Sequence, residues 1–302
     1  TSYVKNKIIK LPYNGTENNR QGGSQIYDPA QGKIVWVGGY QEGQPLGDIY
    51  AYKQVKILRD EEEVKRLAGD YIDEIAHLYG PNKAAEYAGK GNWKPIMPGD
   101  VLWDDKDGNK TINSLDREKI GNVYPKWTGG FSTTLSYKNV SLYARFDYAV
   151  GHTIFNEVAA RSLGQAVGFK NIIKEGLKTW TPENPDTDLP RCDYADYADY
   201  SHRNIYRSNG GGSHALQNNS SRFYEKGDYL ACRELTLSWK LPLEWISKAH
   251  MTNASVYVTG QNLFYITGYS GISPEAPLRW LGVDGGRYPT PRTLLLGLSV
   301  SF

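Results

Sequence analysis

The segment Thr293-Leu294-Leu295-Leu296-Gly297-Leu298-Ser299-Val300-Ser301-Phe302 decides the fold. One set of alternate residues is Leu294, Leu296, Leu298, Val300 and Phe302; the other is Thr293, Leu295, Gly297, Ser299 and Ser301. Period two sends successive side chains to opposite faces of an extended chain. A strand is predicted here, with one apolar face and, Leu295 excepted, one small or polar face. The pattern recurs upstream. In residues 251–266, Ala254, Val256 and Val258 alternate with Ser255, Tyr257, Thr259 and Gln261. In residues 233–241, Leu235, Leu237, Trp239 and Leu241 alternate with Glu234, Thr236, Ser238 and Lys240, so this strand carries charge on its inner face. Val140, Leu142, Ala144, Phe146, Tyr148 and Val150 alternate with Ser141, Tyr143, Arg145, Asp147 and Ala149. Phe131, Thr133, Leu135 and Tyr137 form the strand before it, and the link Lys138-Asn139, with an Asn suited to a tight turn, predicts a hairpin. Less regular strands are predicted at residues 33–37 and 49–57.

Many of these strands reach the roughly 9 to 11 residues that cross a bilayer at a tilt, whereas globular strands average about five or six. A transmembrane barrel hides its lipid face in alternate residues, so the mean hydropathy of −0.57 excludes helical spans only. Tyr (23 residues) outnumbers Phe (7) and Trp (8), which favours side chains with an apolar body and a polar tip. Such residues suit membrane interfaces and sugar-binding surfaces. With 39% hydrophobic and 23% charged residues, bulk disorder is excluded. The net charge of +2 provides no footprint for sequence-independent nucleic-acid binding.

Two long polar excursions separate the strands, at residues 58–125 and 151–228. The first opens with an amphipathic helix predicted over residues 61–79, whose Glu61-Glu62-Glu63 forms an acidic first turn that favours the helix dipole. A second helix is predicted over residues 154–177. By contrast, the links at 138–139 and 242–250 are short. Short turns on one side and long loops on the other are how an outer-membrane barrel is built. Counting back from a periplasmic C-terminus, 267–288, 151–228 and 58–125 fall outside the cell, and both short links fall in the periplasm.

Further residues carry a family resemblance. Pro98-Gly99-Asp100-Val101-Leu102-Trp103, then Asp105-Lys106-Asp107-Gly108-Asn109, Ile112, Asp116-Arg117, Ile120-Gly121-Asn122, Pro125-Lys126 and Gly129-Gly130-Phe131 resemble the C-terminal part of SusC/RagA-type TonB-dependent outer-membrane transporters. Gly260-Gln261-Asn262-Leu263, Tyr288-Pro289-Thr290-Pro291-Arg292 and the terminal Phe302 agree. The resemblance covers about 98–150 and 223–302. It implies an all-β fold: the C-terminal portion of a large, about 22-stranded, antiparallel transmembrane β-barrel with long extracellular loops containing short helices. The family's plug domain and TonB box are not visible in this sequence, so the chain is expected to be one segment of a longer transporter. The resemblance also implies a bacterial outer-membrane location and TonB-coupled import of nutrient oligosaccharides or peptides. The implied partners are a SusD-like surface lipoprotein lid, TonB, the rest of the transporter and the lipid bilayer.

Asp105, Asp107, Asn109, Thr111 (through its carbonyl), Asn113 and Asp116 occupy positions one, three, five, seven, nine and twelve of a twelve-residue loop. Calcium takes six to eight hard oxygen ligands, and this spacing wraps a chain around one ion. Lys110 stands where an EF-hand has Gly, and Asp116 where it has a bidentate Glu. The rival reading is a polar turn held by Asx hydrogen bonds. Tyr194, Tyr197, Tyr200, Tyr269 and Trp280 are candidate substrate or lid contacts, or loop packing. No cofactor is required. Cys192 and Cys232 lack metal-site spacing, and a disulfide between them stays open. The five His residues show no HExxH or comparable spacing, and neither GxSxG nor a phosphate loop occurs, so no enzymatic activity is expected. The rivals to a transporter are a secreted β-sandwich carbohydrate-binding protein or adhesin using the same tyrosines, and a β-rich glycosidase.

Overall fold

The computed structural model describes residues 1–163, 173–191, 220–275 and 282–302. Its largest element is an antiparallel sheet of five long strands: β1 (Trp127–Tyr137), β2 (Val140–Val150), β3 (Tyr229–Lys240), β4 (Asn253–Thr267) and β5 (Thr293–Ser301). They pair in chain order, and Ser2–Tyr3 adds a short strand beside the start of β1. Among the described residues, no further strand extends the sheet on either side. Each strand contains its predicted segment nearly whole, with β1 and β3 each starting four residues earlier.

Register turns the alternation of single strands into two continuous faces. Leu135, Leu142, Leu237, Val258 and Leu296 pair across all five strands, as do Tyr137, Val140, Trp239, Val256 and Leu298. Between these rows lie Ser136, Ser141, Ser238, Tyr257 and Gly297, and beyond the Leu135 row come Thr134, Tyr143, Thr236, Thr259 and Leu295. A one-residue slip in any strand would mix the faces. Gly297 sits where the ring of Tyr257 crosses the neighbouring strand; a Cβ there would lie 2.1 Å from Tyr257 Cζ. The apolar face is open to its surroundings: Leu294 and Leu296 are each 77% exposed. In water, burial of such a face would drive association. In a bilayer it meets acyl chains, and the polar face forms the lumen.

In the β1–β2 turn the left-handed residue is Lys138 (φ +52), not Asn139, as when only the first central residue has positive φ. This turn and residues 241–252 lie at one end of the sheet. The described residues of 151–228 and 268–292, and the chain leading into β1, lie at the other.

There the loops build cores of their own. Tyr52, Ile57, Val101, Trp103 and Ile112 pack together, Leu58, Val64 and Ala68 form a second cluster, and Phe155, Ala160 and Phe223 a third. Three sequence expectations are corrected in this region. The helix predicted over 61–79 stops after α1 (Glu61–Ala68), because Gly69-Asp70 follows and the later apolar residues enter strands Ile72–Asp73 and Leu78–Tyr79. Of the helix predicted over 154–177, the described residues form strand Thr153–Asn156, the short helix α2 (Glu157–Ser162) and a 3-10 turn at Lys174–Lys178, and residues 164–172 lie outside the described residues. The start of this segment is extended because Thr153–Asn156 pairs with Tyr224–Lys226 and Val283–Asp284. The strand predicted over 49–57 is two: Asp48–Tyr52 pairs with Arg117–Asn122, and Gln54–Ile57 with Val101–Trp103. The strand Lys33–Val37 stands as predicted and pairs with Ser24–Asp28.

The start of α1 has a measurable charge dependence. Asp60 accepts from the Glu63 amide at 2.8 Å, and the buried Glu63 carboxylate accepts from the Arg59 amide at 2.9 Å and pairs with Lys56. Burial alone would raise the Glu63 pKa, but the bonds from Lys56 and Arg59 bring it down to about 2. The folded value lies below the unfolded one of roughly 4.3, so the stabilisation is complete above that pH and lost as pH falls toward 2. Glu63→Gln is expected to cost about 1–2 kcal/mol near neutral pH, given the half-exposed partners. Thermal unfolding at several pH values would show the difference from wild type vanish in acid; a constant difference would contradict this account.

Candidate functional site

The lumen-facing side of the sheet carries a charged cluster at its loop-bearing end. Its cause is a bulge in β3. Arg145 pairs with Glu234 but the next residue, Phe146, pairs with Cys232, so Arg233 is extra. The β4 strand answers with a second irregularity at Asn262-Leu263, where Asn262 has φ +52. Strict alternation would put Arg233 on the face of Leu235, Leu237 and Trp239; the bulge inverts the phase there. Cys232 then joins the apolar row of Phe131, Phe146 and Phe264.

Arg233 Nε donates to Asp147 Oδ2 at 2.9 Å, Nη2 donates to Glu275 Oε1, and Nη1 donates to the Tyr265 hydroxyl at 3.3 Å. Tyr265 in turn donates to Glu275 Oε2 at 2.9 Å, and Tyr229 meets the Tyr265 ring edge-on at 5.9 Å. A planar guanidinium suits this fork of two carboxylates. Burial would raise the pKa of Glu275, but Arg233 and Tyr265 hold it below the usual carboxylate range.

Through Glu275 the cluster fastens residues 268–275 against the wall. The same segment is held by Ser270, which donates from N and Oγ to Glu225 at 2.8 and 2.7 Å, and by His152, whose Nε2 lies 3.2 Å from the Pro274 carbonyl. Tyr269 donates to Asp284 Oδ2 at 2.8 Å.

Of the predicted aromatic contacts, Tyr194, Tyr197, Tyr200 and Trp280 lie outside the described residues. Tyr269 is 6% exposed and packs the loop, so its ring is not offered to a substrate or lid in this conformation. Burial, followed by the bond to Asp284, raises its pKa strongly. Cys232 is buried in the sheet, and Cys192 lies outside the described residues. The cluster of Arg233, Asp147, Tyr265 and Glu275 was not anticipated. Its one sequence signal is an Arg whose position matches the apolar phase of a membrane strand, where a charge needs partners.

The acidic loop converges as its spacing predicts. Carboxylate oxygens of Asp105, Asp107 and Asp116 all lie within 4.8 Å of one another. Lys110, in the sixth position, adopts φ +64 despite its side chain. Ile72–Asp73 pairs with Thr111–Ile112 in parallel, and the Ile72 and Glu74 amides take the carbonyls of Lys110 and Ile112, not that of Thr111. The Asx bonds of the rival reading are also present: Asp105 accepts from the Asn109 and Lys110 amides, and Asp116 from those of Lys106 and Asn113. Asn109 Nδ2 donates to Asp107, and Asn109 Oδ1 accepts from the Thr111 amide. Burial, then the neighbouring Asp107 and Asp105, pushes the Asp116 pKa up to about 6.

No protein-family model matches the chain. It is 28% identical over 309 residues to TonB-dependent receptor P3 of Formosa agariphila, aligning 99% of this chain with 26% of that protein. It is 26% identical over 217 residues to TonB-dependent receptor SusC of Bacteroides thetaiotaomicron, aligning 70% of this chain with 18% of that protein. Its fold is similar to the structure of the RagAB peptide transporter, with a TM-score of 0.58 over 92% of this chain and 24% of that one, at 21% identity. The chain thus spans about a quarter or less of the length of these relatives. A long-stranded sheet with one lipid-type face fits the wall of an outer-membrane β-barrel, and in sequence and fold the chain resembles the SusC/RagA-like TonB-dependent receptors.

Proposed function

We propose that this chain is part of the wall of a TonB-coupled importer that takes nutrient oligosaccharides or peptides across the outer membrane beneath a SusD-like lipoprotein lid. The observation that carries the reading is the pair of continuous faces: apolar rows outside, and Ser, Thr, Tyr and paired charges toward the lumen. The loop-bearing end then faces outward, with 58–125 and 151–228 as extracellular excursions, and the short turns face the periplasm. The relatives are receptors and transporters rather than enzymes, and import needs no covalent step on the substrate. A β-sandwich lectin would cover the Leu135 to Leu296 row with a second sheet, and among the described residues none covers it. The test is uptake of labelled peptides and oligosaccharides by cells with and without the full transporter, before and after collapse of the proton-motive force. Uptake that needs both the transporter and the force is expected; surface binding without uptake, unaffected by uncoupling, would favour the lectin.

Within the same proposal, the loop of Asp105, Asp107, Asn109, Thr111 and Asp116 holds calcium. Support comes from the ligand spacing and the convergence of three carboxylates. At a hundred-fold excess over its dissociation constant, the ion would add about 2.7 kcal/mol of stability. Chelation is expected to lower the melting temperature of the full transporter, calcium to restore it, and Asp105→Asn to remove the response. Absence of bound metal at millimolar calcium would refute the site.

A further inference from the structure

At the short-turn end, β3 and β4 are joined by residues 241–252. Leu243–Ile246 forms a single helical turn, α3, continued by the 3-10 turn Ser247–Ala249 and closed by His250 in the left-handed region. Ile246 is buried beneath it, whereas Leu243 and Trp245 are 65% and 61% exposed. An ordinary aqueous turn does not gather two large apolar side chains on its open side.

The position of Trp245 gives these side chains a role. Its ring meets Trp239 edge to face at 5.8 Å, and Trp239 lies in the outward apolar row with Tyr137, Val140, Val256 and Leu298. Trp245 therefore carries the lipid-type face past the end of the strands. Because β3 and β4 are interior strands, this turn already has its neighbours on both sides, and strands added at the open edges of the sheet would not cover it.

Depth agrees. Trp127, whose ring lies tilted against that of Tyr3 with centroids 4.6 Å apart, marks the other end of the band on β1. Ten residues separate Trp127 from Tyr137. That is roughly 33 Å along the strand, or about 25 Å across a membrane at a tilt of about 40°, the height of an outer-membrane apolar band. Tyr137 and Trp239 thus sit at the second interface, and α3 lies just beyond it. Exposed Lys138 and Lys240 stand at the strand ends and exposed Lys248 in the 3-10 turn after α3, Lys138 with its Nζ 5.3 Å from the centre of the Tyr137 ring.

We propose that α3 is a membrane foot. Leu243 and Trp245 embed at the boundary between headgroups and acyl chains of the phospholipid leaflet at the short-turn end, and the three lysines meet lipid phosphates. The occupant is phospholipid, named by apolar continuity with the band and by the flanking cations. The proposal rests on the barrel reading, and its test separates the two.

The full transporter, in a background without other reactive cysteines, is labelled with a fluorophore at Trp245→Cys or at Leu296→Cys and reconstituted in phosphatidylethanolamine/phosphatidylglycerol vesicles. Nitroxides are carried on the lipid headgroup or mid-chain, and iodide serves as the aqueous quencher. The label at 245 is expected to be quenched at least twofold more by headgroup than by mid-chain nitroxide, and the label at 296 in the opposite order. If 245 responds to iodide alone while 296 responds to lipid, the foot is refuted and the barrel stands. If neither responds to lipid, both readings fall.

Discussion

Leu235→Arg is expected to destabilise the folded transporter in lipid by about 2–4 kcal/mol, the cost of a cation on the lipid face near the bilayer midplane. Leu235 pairs with Ala144 and Gly260, in a row with Thr133 and Leu294, near the middle of the band between Trp127 and Tyr137. At that depth a guanidinium is too far from either interface to reach water at no cost. Thr134→Arg, one residue along β1 from Thr133 and on the lumen side, is the matched control and should change stability by less than about 1 kcal/mol. Equilibrium unfolding in urea from phospholipid vesicles reads both. Equal penalties would mean that the two faces see the same solvent, and the assignment of lipid and lumen sides would fail.

Removal of Arg233 is expected to act through the loop and not the membrane. Arg233→Met leaves Asp147 and Glu275 facing each other without a cation. Breaking one partner of a fully buried network costs about 3–5 kcal/mol, and partial exposure of these carboxylates brings the expected loss to about 2 kcal/mol. The loss should be local. Amide exchange in residues 268–275 should quicken at least tenfold, while the centre of β3 keeps its protection. Arg233→Lys retains the charge but loses the planar fork, so it should fall between. Unchanged exchange in 268–275 on Arg233→Met would show that Ser270, His152 and Tyr269 hold the segment unaided. This segment borders the lumen at the loop-bearing end, so the proposed import function makes its attachment relevant to substrate passage.

The strands were legible because the membrane imposes its demand residue by residue. Leu294, Leu296, Leu298 and Val300 reveal β5 by alternation alone, and β2 runs over the predicted Val140–Val150. The acidic loop was legible for a similar reason: a twelve-residue spacing suffices to bring Asp105, Asp107 and Asp116 together. The loop helices were not. Residues 72–79 have the apolar content of a helix, yet Ile72–Asp73 finds a strand partner in Thr111–Ile112, nearly forty residues away in sequence. Local propensity is a weak prior against such pairing, because burial in a packed cluster outweighs a few tenths of a kcal/mol per residue.

By itself, the sequence determined which residues form membrane strands, which side of each is apolar, and where the long and short connections lie, because these depend on period and distance along the chain. Only the tertiary structure decided the register that joins five alternations into two faces, the bulge that brings Arg233 to Asp147 and Glu275, and the placement of Trp245 against Trp239. Each of these depends on which backbone groups pair across strands far apart in sequence, and the spacing of side chains within a single strand carries no record of that choice.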